Sequence, residues 1–280
     1  MRAPVALRVN PEVKVDTPHH YTRTGERGNK FGIPFDEALE AARRALAMPN
    51  IALRGVDMHI GSQVFQIEPY RDALVRVLEL HAQMRALGAS EIRYLDIGGG
   101  FAVPYDDETP MDLEALAAEL LPIIQKSGLS LITEPGRYII GNAGVLLARV
   151  MHRKKSGGKE YIITDAGMND LVRPSHYDAY HGVEAVQARD ERSIVDVVGP
   201  VCESGDFFAL DREVENVETG DLIVVRTAGA YGYVMSFNYN ARPRSAEVLV
   251  DGDRFAVITR RETYEDLVRL EPQHLEWRTD

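Results

Sequence analysis

Short stretches of this sequence carry side chains whose types and spacing suit chemistry. "GPVCESGDFF", residues 199–208, holds the single cysteine of the chain, Cys202, with Glu203 directly after it and Asp206 a turn further on. A carboxylate beside a thiol favours its protonated form, the state that a proton donor needs and a nucleophile does not. The alternative is a small apolar filler, because free cysteine is among the most often buried residue types. "HIGSQ" places His59 before Gly61 and Ser62. This suits a flat imidazole laid on a flat ligand with a hydroxyl in reach, or a satisfied core histidine. "DIGGGF" sets Gly98, Gly99 and Gly100 in a row. Bare backbone N–H groups of that kind can approach a phosphate closely, and the same triplet can simply make a tight turn. It lacks the G-x-G-x-x-G spacing of a dinucleotide site. "EPGRY" pairs Glu134 with Arg137, either as a structural ion pair or with the glutamate aimed at a ring nitrogen. A carboxylate in that position keeps the nitrogen protonated and makes the ring an electron sink, a specific need of pyridoxal chemistry.

These stretches sit where a parallel α/β sheet concentrates function, at the carboxyl ends of strands. The hydrophobic pattern predicts strands over 5–10, 53–61, 92–101 and 129–137, with helices over 34–48, 69–88 and 111–126 between them. Strand and helix alternating at this spacing predict parallel strands with right-handed crossovers. After about residue 142 the rhythm changes to β-rich runs, "GVLLARVMHRK", "EYIITDA", "SIVDVVG", "DLIVVRTAG", "AEVLVDG" and "RFAVITRR", divided by turn signals such as "SGG" and "TGD". The expected organisation is residues 1–142 as a partial (β/α) barrel of about four βα units and 143–280 as a mostly antiparallel β domain. The tail "RRETYEDLVRLEPQHLEW" reads as a terminal helix with a docked Trp277.

Composition narrows the partners. With 45% hydrophobic and 27% charged residues, the 280-residue chain reads as soluble and globular. A net charge of -11 without a dense Lys/Arg cluster argues against nucleic acid and for a small-molecule partner. One cysteine forms no internal disulfide, and the first residues lack a signal-peptide pattern, so a cytoplasmic location is expected. His19 and His20 adjoin in a polar loop, and His152, His176 and His181 lack the spacing of a zinc site, so no metal is expected.

Taken together and in order, "HIGSQ", "DIGGGF", "EPGRY", "DAGMNDLVRPSHYDAYH", "GPVCESGDFFA" and "GAYGYVMSFNYNARPR" resemble the pyridoxal-phosphate-dependent diaminopimelate decarboxylases, of the alanine-racemase-like barrel class. The similarity runs from "RVNP" near residue 8 to about residue 250. It implies an α/β plus β fold, the C-terminal half of a (β/α)8 barrel followed by the β domain. It also implies pyridoxal 5'-phosphate as cofactor and decarboxylation of meso-2,6-diaminopimelate to L-lysine. On that resemblance His59 would stack on the pyridine ring, Glu134 would hold its nitrogen, and Ser62, Gly99, Gly100 and Tyr231 would bind the phosphate. Arg137, Arg173 and Tyr177 would grip the remote substrate carboxylate, for which a guanidinium fork is apt, and Glu203 would pair with the remote ammonium. Cys202 would protonate the carbon that carbon dioxide leaves, from a loop that reaches the partner's site in a homodimer.

Two other readings are carried alongside. A related decarboxylase could act on ornithine, arginine or a carboxylated polyamine such as carboxynorspermidine. Glu203 after the cysteine and Arg173 for a second carboxylate favour diaminopimelate. A non-catalytic protein that holds pyridoxal phosphate is the other, and it has no use for Cys202, Arg137 or Arg173.

The family's cofactor lysine lies in a motif like Y-x-x-K-A, which this sequence does not contain, and Lys14, Lys30, Lys126, Lys154, Lys155 and Lys159 do not substitute for it. Four predicted strands, where a closed barrel needs eight, give the same expectation of a partial barrel. The 280-residue polypeptide is therefore expected to release no carbon dioxide from meso-diaminopimelate in a radiometric assay, and detectable release would refute this. Open strand edges and uncovered apolar surface also predict association on size-exclusion chromatography, against which a compact monomer would count.

Overall fold

The computed structural model describes residues 1–15, 17–19, 28, 30–272, 274 and 277–278. The chain divides into two compact units, residues 1–141 and 142–280. No helix among the described residues is long and apolar enough to cross a membrane.

In the first unit, β1 (Ala3–Val9), β2 (Ile51–Met58), β3 (Tyr94–Asp96) and β4 (Ser130–Ile132) form one parallel sheet in chain order. The helices α1 (Ala38–Ala47), α2 (Glu68–Ala86) and α3 (Leu113–Ser127) alternate with them. Each helix exists because its apolar residues fall on one stripe. Ala38, Ala42 and Ala45 of α1 and Ala73, Leu74, Val77, Leu80 and Met84 of α2 are buried in the same core as Leu53, Val56, Met58 and Leu95 of the sheet. Each large apolar side chain so buried contributes roughly 1.5–3 kcal/mol. The third helix is delimited by local chemistry. Asp112 accepts hydrogen bonds from the N–H groups of Glu114 at 2.9 Å and Ala115 at 3.0 Å, and Gly128 ends the helix at a left-handed φ of 71°.

The third and fourth strands are shorter than their sequence pattern predicts. Gly98 and Gly100 take φ of 68° and 87°, which turns the chain out of the ladder directly after β3. After β4, Pro135 has no N–H to give, and Gly136–Ile140 forms a short helix, α4. His59, Ser62, Gly99, Gly100 and Glu134 are therefore on turns at the strand tips, and Arg137 is in α4. Tyr94, Leu131 and Ile132 of β3 and β4 are exposed.

In the second unit a six-stranded sheet has the order β7-β10-β5-β6-β8-β9. Its strands are β5 (Leu146–Ser156), β6 (Lys159–Thr164), β7 (Val183–Ala185), β8 (Arg192–Val198), β9 (Phe207–Glu215) and β10 (Leu222–Val225). The pairing of β6 with β8 is parallel, and the other pairings are antiparallel. β9 escaped the sequence pattern because Asp211 adopts φ of 47° inside it and breaks the inside–outside alternation. A short helix, α5 (Arg173–Tyr177), follows the "DAGMND" turn. A separate hairpin joins β11 (Glu247–Asp251) to β12 (Arg254–Thr259), with Leu249, Val250, Phe255 and Ile258 exposed.

The tail corrects its reading. Its helix, α6 (Tyr264–Val268), has a capping box between Thr263 and Asp266 but is only five residues long, and Pro272 bars continuation. Trp277 is 87% exposed rather than docked. His20 lies outside the described residues.

Replacing the cap of α3 tests how much this local chemistry contributes. Asp112→Ala is expected to lower the unfolding free energy by about 1 kcal/mol in urea titration, with unchanged circular dichroism at room temperature.

Candidate active site

At the tips of β2, β3 and β4 the chain packs backbone on backbone. A methyl on Gly99 would come within 1.9 Å of the Glu134 carbonyl oxygen, and one on Gly100 within 1.9 Å of the Gly61 carbonyl oxygen. Only glycine fits, and that is why the triplet is there. The Glu134 N–H donates to the Gly98 carbonyl at 2.8 Å, and the buried Tyr70 hydroxyl donates to the Gly99 carbonyl at 2.8 Å. Burial pushes the Tyr70 phenol above its usual range. Gln63, itself at φ of 63°, donates to the Val103 carbonyl at 2.8 Å and accepts from the Val103 N–H at 2.9 Å, stitching the two turns together.

His59 stands inside this cluster. Its Nδ1 accepts from the Gly99 N–H at 3.2 Å, so a neutral ring carries its proton on Nε2. Burial, with a smaller contribution from Arg8, holds His59 down to about 4, and the ring is neutral at physiological pH. The Gly98 N–H donates to Asp96 at 2.9 Å. Two of the three glycine N–H groups thus have side-chain partners within the protein. Arg137 is buried, donating to the Tyr105 hydroxyl at 2.6 Å and to Ser62 Oγ at 3.0 Å. Glu134 is exposed. His59, Ser62, Gly99, Gly100, Glu134 and Arg137 are gathered at one end of one sheet.

Sequence reasoning did not single out Asp57. It lies opposite Arg8 on one side and Asp96 on the other in the ladder, and its Oδ1 is buried without a hydrogen-bond partner among the described residues. Burial, then the Asp96 charge, push it up to about 6, against the opposing pull of Arg8. An acid inside a strand otherwise rich in apolar residues was the available signal.

The second unit gathers its own set. Arg173 opens α5 and is buried; its guanidinium lies 2.8 Å from Nε2 of the fully buried His181, whose Nδ1 lies 2.8 Å from the Arg226 carbonyl oxygen. A carbonyl only accepts, so His181 carries its proton on Nδ1 and receives the Arg173 N–H on Nε2. Tyr177, four residues after Arg173, is half-buried and packs edge-on against His176. Cys202 is exposed, which removes the core-filler reading, and its N–H donates to Asn240 Oδ1 at 2.9 Å. Exposed Glu203 accepts the Gly205 N–H at 3.2 Å. Tyr231, in "GAYG", is held at φ of 59° with its side chain exposed, a conformation that a bulky residue rarely adopts.

Known proteins share this arrangement of sequence and fold. The family described as "Pyridoxal-dependent decarboxylase, pyridoxal binding domain" matches residues 1–141. The diaminopimelate decarboxylase of Pseudomonas aeruginosa is 49% identical over 272 residues, covering 95% of this chain and 64% of its own length. That of Neisseria meningitidis serogroup B is 46% identical over 278 residues, covering 97% and 66%. Among solved structures, diaminopimelate decarboxylase from Helicobacter pylori complexed with L-lysine superposes with a TM-score of 0.91 at 39% identity, over 97% of this chain and 67% of that one. Lysine decarboxylase from Selenomonas ruminantium gives 0.75 at 26% identity, over 87% and 62%. The chain thus spans 64% of the length of the Pseudomonas relative and 66% of that of the Neisseria relative.

Asp57 supplies a test with a definite sign. The folded state keeps the Asp57 proton up to about pH 6 while an unfolded chain releases it near 3.8, so the ionised carboxylate weakens the fold above pH 6 and that penalty fades on acidification. Asp57→Asn is expected to be more stable than the wild type by about 2–3 kcal/mol at pH 7.5, with the difference closing as pH falls through 6 towards 4. Urea unfolding at pH 7.5 and 4.5 measures it, and a pH-independent difference would contradict the assignment.

Proposed function

Since the chain belongs to the pyridoxal-dependent decarboxylases, we propose that it supplies cofactor-binding and substrate-recognising groups for decarboxylation of meso-2,6-diaminopimelate to L-lysine. The observation that carries this reading is the convergence of a neutral His59, the Gly98–Gly100 turn and Glu134 at one set of strand tips. This donor set fits a flat ring that bears a basic nitrogen and an anion: an uncharged aromatic face, a carboxylate, a hydroxyl and a glycine turn. Pyridoxal 5'-phosphate, when bound, supplies the electron sink for the pair left by the departing carboxylate.

The side chains of this protein divide the remaining work. His59 offers its ring face and, with its basicity held down by burial, is too weak a base to take the ring-nitrogen proton, which Glu134 holds in place. Ser62, Gly99, Gly100 and Tyr231 bind the phosphate. Arg137, Arg173 and Tyr177 bind the carboxylate that is retained, and Glu203 binds the remote ammonium. Cys202 gives the proton to the carbon from which carbon dioxide leaves, with the working unit a cytoplasmic homodimer in which one protomer's cysteine loop serves its partner's ring. The exposure of Cys202 and the anchoring of Arg173 by His181 support these assignments.

Binding to the 280-residue chain tests the proposal. Calorimetric titration with pyridoxal 5'-phosphate is expected to give saturable binding weakened at least tenfold in Glu134→Gln. With cofactor present, meso-diaminopimelate is expected to bind more tightly than ornithine or arginine, and Arg173→Met is expected to erase that preference. Tighter binding of ornithine would instead support the related decarboxylases, and no cofactor binding would overturn the reading.

A further inference from the structure

In the second unit, the turn that leads into Arg173 and the loop that carries Cys202 are joined by one buried carboxylate. Asp206 is 4% exposed. Its Oδ1 accepts the Met168 N–H at 2.6 Å and its Oδ2 accepts the Val201 N–H at 2.6 Å, so each oxygen holds a different segment. The backbone of the same residue closes the cysteine loop: its N–H donates to the Glu203 carbonyl at 3.1 Å, and its carbonyl accepts the Gly199 N–H at 3.1 Å.

The space around this carboxylate is built for it. A methyl on Gly167 would lie 2.8 Å from Asp206 Oδ1, and one on Gly199 would lie 2.5 Å from both carboxylate oxygens and 2.5 Å from the Gly167 Cα. The cysteine loop also abuts α5, since a methyl on Gly205 would come within 3.0 Å of Ser175 Oγ. A third segment closes the group. Arg242 donates to Asn169 Oδ1 at 3.1 Å and to the Asp165 carbonyl, while Asn240 accepts the Cys202 N–H. Burial raises Asp206, and its two N–H partners and the Arg242 charge oppose that rise.

We propose that Asp206 is a positioning residue: it fixes the cysteine loop against the turn that enters α5, and so sets where the Cys202 thiol and Glu203 stand relative to Arg173. Its carboxylate is held by the backbone N–H groups of residues 168 and 201, and it acts through them. Its place in the chemistry rests on the roles proposed above for Cys202 and Arg173, but the joint itself does not.

Because Cys202 is the only cysteine, its reaction with Ellman's reagent reports on this loop without cofactor or substrate. In the full 280-residue chain, Asp206→Asn keeps the shape but turns an amide nitrogen towards one of the two N–H donors. It is expected to react about fivefold faster or more at pH 8, with a shifted pH–rate midpoint and an unchanged circular dichroism spectrum. Asp211→Asn, an exposed acid on β9, is the control and is expected to match the wild type. A rate within twofold of the wild type, or below it, would overturn the proposal. Should Asp206→Asn fail to fold, hydrogen exchange in the wild type decides: the Met168 and Val201 amides are expected to exchange at least a hundredfold more slowly than Ser204, and equal rates would overturn it. Failure of the diaminopimelate titration with a positive thiol result would remove the proposed chemistry and leave the joint standing.

Discussion

The constraint on which the first unit depends is the contact of bare backbone with bare backbone at the strand tips. Gly99 against Glu134 and Gly100 against Gly61 leave no room for a side chain, so three strands end within van der Waals reach of one another. That closeness brings an imidazole, a hydroxyl and a carboxylate from residues 59, 62 and 134 to one place. The sheet itself is short at this end, with three-residue ladders at β3 and β4, and the turns rather than the strands fix the geometry. Tyr70 and Gln63 reinforce the turns from below with hydrogen bonds that burial makes costly to break.

In the second unit the same logic appears with different parts. A carboxylate, two glycines and the amides of separate loops meet at Asp206, while a buried histidine orients Arg173. In both units polar groups are enclosed by the backbone that they organise. A fully enclosed and satisfied polar group has one low-energy arrangement, and the exposed Cys202, Glu203 and Tyr231 are presented from such rigid ground.

The alternation of strand and helix was legible in the first half because each helix buries a single apolar stripe and every residue of β2 is buried or half-buried. The change from an α/β to a β architecture was legible because the repeat length of the pattern shifts. The glycine triplet could be recognised as special, but not that Gly98 and Gly99 direct their N–H groups to Asp96 and His59. The roles of Asp57, Tyr70, His181 and Asp206 are hidden in the sequence for one physical reason. Tyr70, His181 and Asp206 have hydrogen-bond partners 29, 45 and 38 residues away, and the perturbation of Asp57 comes from burial and then from the charge of Asp96 on a neighbouring strand, so no local spacing announces them. β9 carries no clear signal because Asp211 interrupts its alternation, and the exposed Trp277 shows that an aromatic residue near a chain end is not by itself a docking signal.

The cradle around Asp206 carries a consequence for inheritance. Positions 167, 199 and 206 share one small volume, in which a methyl on either glycine and the oxygens of the acid exclude each other. A lineage that acquires alanine at either glycine loses the fit of the carboxylate, and one that loses the acid leaves two amides to be satisfied by something else. The three sites are thus a single heritable unit, whose members are expected to be replaced jointly when descendants of this protein drift apart.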